Sequence, residues 1–115
     1  MVRRLLGRWV HRIRVYRHRR FVQKTVEKGL ILGRNVTIMN DVRFDHPHNS
    51  LISIGDNSTI AHGVAFIAHD GSTFKALGHS RIGRIDVREN TFIGERCILL
   101  PGVTIGPNVL VGAGS

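Results

Sequence analysis

The sequence predicts an all-β solenoid, a parallel β-helix of hexapeptide repeats, preceded by one basic amphipathic helix. The first observation is a ruler. From Val87 to Ser115 an aliphatic residue returns at every sixth position: Val87, Ile93, Leu99, Ile105, Val111. The second is what stands at the fifth place of each step, always a small or β-branched residue: Thr91, Cys97, Val103, Val109, Ser115. A helix repeats at 3.6 residues and a simple strand at 2, so neither keeps apolar residues in place at a spacing of six. The third is charge. Up to Lys28 there are ten Lys or Arg against Glu27 alone, whereas from Gly29 onward seven basic residues meet seven acidic ones. The formal net charge of +9 therefore belongs entirely to one N-terminal segment, and the repeat region is neutral.

At 115 residues the chain is expected to hold one repeat domain, residues 30–115, behind a helix at residues 1–29. In the helix, Val2, Leu5, Leu6, Trp9, Ile13 and Tyr16 fall at helical spacing on one face, and arginines fill the other. Gly29 is a natural stop after the last lysines. Three uses of such a helix stay open from sequence: lying on an anionic membrane surface, docking an acidic partner, or packing its apolar face on the β-helix or a neighbouring subunit. Nucleic acid is not expected, because too few aromatics are interleaved to stack bases.

The repeats begin at Leu32-Gly33-Arg34-Asn35-Val36-Thr37 and Ile38-Met39-Asn40-Asp41-Val42-Arg43. Their register breaks at Asp45-His46-Pro47-His48-Asn49-Ser50, a polar stretch that reads as a turn or small excursion. It resumes with Ile54-Gly55-Asp56-Asn57-Ser58-Thr59 and Ile60-Ala61-His62-Gly63-Val64-Ala65. Between Phe66 and Val87 it is lost again, over a second excursion at about 68–84. A loop thrown out of a strict solenoid is where function-bearing residues are placed. The single Cys97 occupies an inward fifth place and reads as a small buried thiol in a reducing compartment. No apolar run suits a signal peptide or a membrane span, so the expected location is the cytoplasm, with residues 1–28 as a contact to the inner face of the membrane.

Gly55-Asp56-Asn57, Ala68-His69-Asp70-Gly71-Ser72-Thr73, Leu100-Pro101-Gly102-Val103-Thr104-Ile105-Gly106 and Val111-Gly112-Ala113-Gly114-Ser115 together resemble the hexapeptide-repeat acetyltransferases. The resemblance is to the maltose/galactoside O-acetyltransferase-like branch, near the acyltransferases of surface-polysaccharide synthesis, and it runs from about Leu30 to Ser115. It implies a left-handed β-helix with three hexapeptides per triangular coil, a homotrimer, active sites in the grooves between subunits, and acetyl-CoA as co-substrate. His69 matches the family's catalytic histidine. Gly112, Ala113 and Gly114 match the stretch where the pantetheine arm lies against the backbone, and Glu95 matches a position lining its thiol end, where the family usually has a small residue. Arg88 and Ala61 stand where Gly is common, and Gly71 where relatives carry a second His. Relatives continue past Gly-Ala-Gly-Ser into a coil with basic residues for the CoA phosphates, so the repeat is expected to end one coil short, C-terminally truncated.

The chemistry expected is direct transfer of an acetyl group from acetyl-CoA to a sugar hydroxyl, with His69 as general base. Backbone N–H groups along a Gly-rich coil would stabilise the developing oxyanion. There is no Gly-x-Ser-x-Gly elbow and Cys97 faces inward, so no covalent nucleophile is expected; direct transfer to a base-activated hydroxyl is expected to require no metal. Asp70 follows His69 directly, so in extended chain the two side chains point apart and Asp70 is expected to shape the loop rather than orient the imidazole; with Asp45 and His48 it is also a candidate for acceptor binding. If the two breaks of register stack, Asp45, His46 and His48 would bind the acceptor or orient His69; otherwise they form a solvated turn. Two other readings compete. One is a zinc hydratase resembling the γ-class carbonic anhydrases, for which His62, His69 and His79 are available but not at that family's spacing. The other is a catalytically impaired truncated relative serving as a β-helix scaffold.

Overall fold

The computed structural model describes residues 1–115. Helix α1 runs Val2–Glu27 and stops where the backbone of Gly29 turns to a φ of 112°, a conformation that favours glycine. Twelve short strands follow: β1 Ile31–Leu32, β2 Thr37–Ile38, β3 Ile52–Ile54, β4 Thr59–Ile60, β5 Ala65–Phe66, β6 His69–Asp70, β7 Arg81–Ile82, β8 Ile85–Val87, β9 Phe92–Ile93, β10 Ile98–Leu99, β11 Thr104–Ile105 and β12 Leu110–Val111. A short helix α2, Phe74–Leu77, lies between β6 and β7.

The pairings form three parallel faces. On the first, β1, β3, β8 and β11 lie side by side; on the second, β2, β4, β9 and β12; on the third, β5 and β10, with Arg43 bridging to Ala65. Along the first face Ile31 stands beside Ser53, Ser53 beside Asp86 and Asp86 beside Thr104, steps of 22, 33 and 18 residues. The last step is three hexads, one full coil, so the other two carry 4 and 15 extra residues. Both insertions enter at one corner. Crossing from third face to first takes 6 residues in the coil without an insertion (Ile98 to Thr104), 10 from Arg43 to Ser53, and 21 from Ala65 to Asp86. The two breaks of the hexad register therefore stack on each other.

The first places of the hexads, with Ile52 and Ile85 each two residues before a first place, fill the interior. Ile52, Ile54, Ile60, Ile85, Val87 and Ile93 are wholly buried, and each such side chain contributes on the order of 1.5–3 kcal/mol. Phe44 and Phe66 stack with ring centroids 5.1 Å apart. Fifth places point in as well: Ser58, Thr91 and Cys97 are buried, with the Cys97 Sγ–H donating to the Gly112 carbonyl at 3.0 Å. The corner between first and second faces repeats a device absent from the hexad count. Asn35, Asn57, Asn90 and Asn108 occupy it in successive coils, each with φ between 53° and 58°. Asn tolerates this left-handed conformation better than other residues with a side chain, and Asn35 also donates to the Asn57 side chain at 2.9 Å.

Helix α1 does not pack as its N-terminal apolar face suggests. Val2, Leu5, Leu6, Trp9, Ile13 and Tyr16 are all exposed. The part that covers the first coil is the C-terminal half: Val22 packs on the core, Thr25 is buried, the Phe21 ring lies 6.2 Å from Phe44, and His18 Nε2 is 2.6 Å from the Ile38 carbonyl. At about 100° per residue these four residues lie on the side of the helix opposite the N-terminal stripe. The helix is thus amphipathic in two halves with opposed faces, and its C-terminal half caps the solenoid.

Candidate active site

The stacked corner assembles the site. Chain leaving β5 through Ile67 and Ala68 enters a two-stranded antiparallel ribbon, β6 with β7, in which His69 pairs with Ile82 and Asp70 with Arg81. One coil earlier, chain leaving Arg43 passes through Phe44 to Asp45 and into the 3-10 turn Asn49–Leu51. Asp45 Oδ2 accepts two hydrogen bonds from the same residue: the His69 backbone N–H at 2.9 Å and the ring Nδ1–H at 2.6 Å. The Asp45 carboxylate is nearly covered, its side chain 7% exposed, while the His69 ring is 49% exposed.

This geometry settles the tautomer by chemistry. A carboxylate oxygen is an acceptor, so Nδ1 must carry a proton and the lone pair of neutral His69 resides on Nε2. The backbone contact holds the carboxylate in place, and the carboxylate holds the ring. With Nδ1–H on a carboxylate and the ring half exposed, Nε2 is the nitrogen able to take a proton. His48 stands beside the His69 ring, centroids 5.0 Å apart and tilted by 51°. His46 is turned elsewhere: its Nδ1 accepts from the Nδ2 of buried Asn49 at 2.7 Å. A groove of about 580 Å³ opens here, lined by Phe21, Val42, Arg43, Phe44, Asp45, His46, Phe66, Ile67 and His69. Phe21 and Arg43 were not singled out from sequence: helix register alone does not say which coil Phe21 will cross, and Arg43 closes an ordinary hexad with nothing to mark it.

Asp70 lies next to His69 in sequence but serves the loop. Its Oδ1 accepts the Ser72 N–H at 2.9 Å, and hydrogen bonding to Ser72, with smaller help from Arg81 and His69, lowers its pKa below the ordinary carboxylate value. The positions matched to the pantetheine arm lie at a different corner, between second and third faces. There the Gly114 N–H donates to the Glu95 carbonyl at 2.8 Å, which stacks Gly112-Ala113-Gly114 directly on Gly94-Glu95-Arg96. Gly94 is required by this closeness: a Cβ on it would lie 2.6 Å from the Ala113 nitrogen. Within one chain this corner and His69 are at opposite ends of the third face. His62 belongs to the Glu95 corner, its carbonyl accepting from Arg96 at 2.9 Å, and His79 to the ribbon. No three His, Cys, Asp or Glu side chains converge closely enough to hold a metal ion.

A family model described as bacterial transferase hexapeptide (six repeats) matches residues 85–115. Protein CapG of Staphylococcus aureus is 38% identical over 96 residues, an overlap that covers 74% of this chain and 56% of CapG. Residues 85–115 are hexapeptide repeats of the bacterial transferase type. YvoF of Bacillus subtilis, named as an acetyltransferase, is 29% identical over 98 residues, covering 85% of this chain and 51% of YvoF. A hexapeptide-repeat containing acetyltransferase from Vibrio cholerae superposes with a TM-score of 0.56 at 18% identity, over 77% of this chain and 62% of that one, a likeness of fold. The chain spans about half the length of the curated relatives it matches.

Proposed function

We propose that this protein is an acyltransferase that moves an acetyl group from acetyl-CoA to a hydroxyl of a sugar or glycan, with His69 as general base. The observation that carries the reading is the Asp45–His69 pair at 2.6 Å, which leaves Nε2 basic on a ring that lines a groove. In the step itself the acceptor oxygen forms a bond to the thioester carbonyl carbon while its proton passes to Nε2. Collapse of the tetrahedral intermediate breaks the carbon–sulfur bond, and the proton leaves with sulfur as the CoA thiol. Acetyl transfer is supported by the name of YvoF, and a sugar or glycan acceptor by the resemblance of the His69 loop and the closing coil to the maltose/galactoside O-acetyltransferase-like branch.

The co-substrate's arm is assigned to the Gly112-Ala113-Gly114 corner, on the match of that stretch to the family's pantetheine-binding turn, with Glu95 at its thiol end. Because that corner and His69 stand apart in one chain, the complete site is assigned to a groove between copies in a trimer of left-handed β-helices. Arg43 lines the groove and His48 stands beside the His69 ring, and both are assigned to the acceptor. The zinc-hydratase reading has no observation in its favour. Protein incubated with radiolabelled acetyl-CoA and a panel of sugars should transfer label and release CoA, with saturation in acetyl-CoA. Absence of saturable binding at millimolar acetyl-CoA would instead favour a β-helix scaffold.

A further inference from the structure

The N-terminal half of α1 is a surface built for a partner that the coils do not supply. Its apolar stripe, Val2, Leu5, Leu6, Trp9, Ile13 and Tyr16, is exposed throughout, Trp9 to 68%. The helix cannot roll this stripe onto the solenoid. His18, Phe21, Val22 and Thr25 hold the opposite side of the same continuous helix against the first coil, so turning one half inward would turn the other out. The stripe's borders are arginines on both sides, Arg8 and Arg12 along one edge and Arg3 and Arg17 along the other, and no acidic residue precedes Glu27. No helix is long and apolar enough to cross a membrane.

From this we infer that residues 2–17 lie flat on an anionic phospholipid surface, with the apolar stripe sunk among the acyl-chain ends and the arginines reaching back to lipid phosphates. Basic residues on both edges of an apolar stripe suit a plane of negative charge, because each guanidinium can rise to the headgroups while its stem stays apolar. Trp9 and Tyr16 are the residue types that settle at a membrane–water interface. An acidic protein groove would be matched by charge concentrated on one side, and here the charge is on both. The C-terminal half of the helix, fixed to the coils, would then hold the groove containing Phe21 and His69 close to the membrane.

Trp9 is the only tryptophan, so its emission reports on this surface alone. The full chain is titrated with vesicles of phosphatidylcholine and phosphatidylglycerol at 3:1, and with phosphatidylcholine alone. The expected result is a blue shift and co-flotation with the anionic vesicles, at least about tenfold weaker without phosphatidylglycerol and weakened by salt. Arg8→Gln and Arg12→Gln should each reduce partitioning by about fivefold, and Leu6→Glu should abolish it. Thermal melting should be unchanged in all three, since these side chains touch none of the coils. Three results would overturn the inference: no shift with anionic vesicles, equal binding to both compositions, or emission already blue in buffer that reddens on dilution. The last would give the stripe to a second copy of the chain. Capture of an acidic protein by a chain that ignores both vesicles would give it to that partner.

Discussion

Replacing Asp45 with Asn probes the site with the least disturbance of shape. Asp45 Oδ2 accepts from the His69 ring at 2.6 Å and from its backbone N–H at 2.9 Å. The amide can keep the backbone contact, but it removes the charge, and by offering its NH₂ to Nδ1 it can move the ring proton to Nε2, the wrong nitrogen for a base. A hydrogen bond to a charged group contributes about 1.5–3 kcal/mol. If that is expressed only as the imidazolium forms, the loss in kcat is about 10- to 150-fold. Solvent at the half-exposed ring screens the charge, so the lower half of that range is expected. The assay is CoA release under saturating acetyl-CoA, with kcat and KM for Asp45→Asn, His69→Ala and the double variant. The fall should be in kcat, with KM for acetyl-CoA unchanged, and the double variant should be no worse than His69→Ala alone. An Asp45→Asn enzyme within twofold of the parent, or losses that multiply in the double variant, would refute the coupling.

Phe66→Ala should cost about 3–5 kcal/mol in denaturant unfolding, because the ring is wholly enclosed and stacked on Phe44; a cost under 1 kcal/mol would mean that the coil interior collapses around the gap. Gly94→Ala forces a methyl to within 2.6 Å of the Ala113 nitrogen, so about 1–3 kcal/mol should be lost and the amides of 112–114 should exchange faster, while those of β3 and β4 stay protected. Asp70 has its pKa lowered by Ser72, so the loop contact it makes is fully present above the ordinary carboxylate value and is lost as pH falls through the lowered one. Amide exchange at Ser72, corrected for intrinsic rate, should therefore be protected at neutral pH and lose protection only in strong acid; protection lost near neutrality would contradict this.

Much of this fold was legible because the hexad period sets which side chains face in: Val87, Ile93, Leu99 and Cys97 are buried where the ruler puts them. The two breaks of register were visible as breaks. That they share a corner was not, because it depends on counting 18-residue coils across strands whose pairing is known only from the fold. His69 was legible through its motif, but the Asp45 contact spans 24 residues and required that stacking. The recurring Asn at one corner was present in the letters and carries a physical signal, a short polar side chain where φ is positive, that the hexad pattern alone does not use. Helix α1 was half legible. Periodicity found the stripe of Val2 to Tyr16, yet docking is decided by the opposite face further along, where Val22 and Thr25 are separated by polar Gln23 and Lys24 and Thr25 is itself polar, which blurs the pattern.

Turnover by His69→Ala tests the central claim most directly. With acetyl-CoA and an accepted sugar, removal of the base should lower kcat by about 10²–10⁴, with acetyl-CoA binding unchanged and the fold retained, since the ring is half exposed and the His69 backbone N–H still donates to Asp45. A His69→Ala protein that acetylates at the parent rate would contradict the assignment of Nε2 as the base.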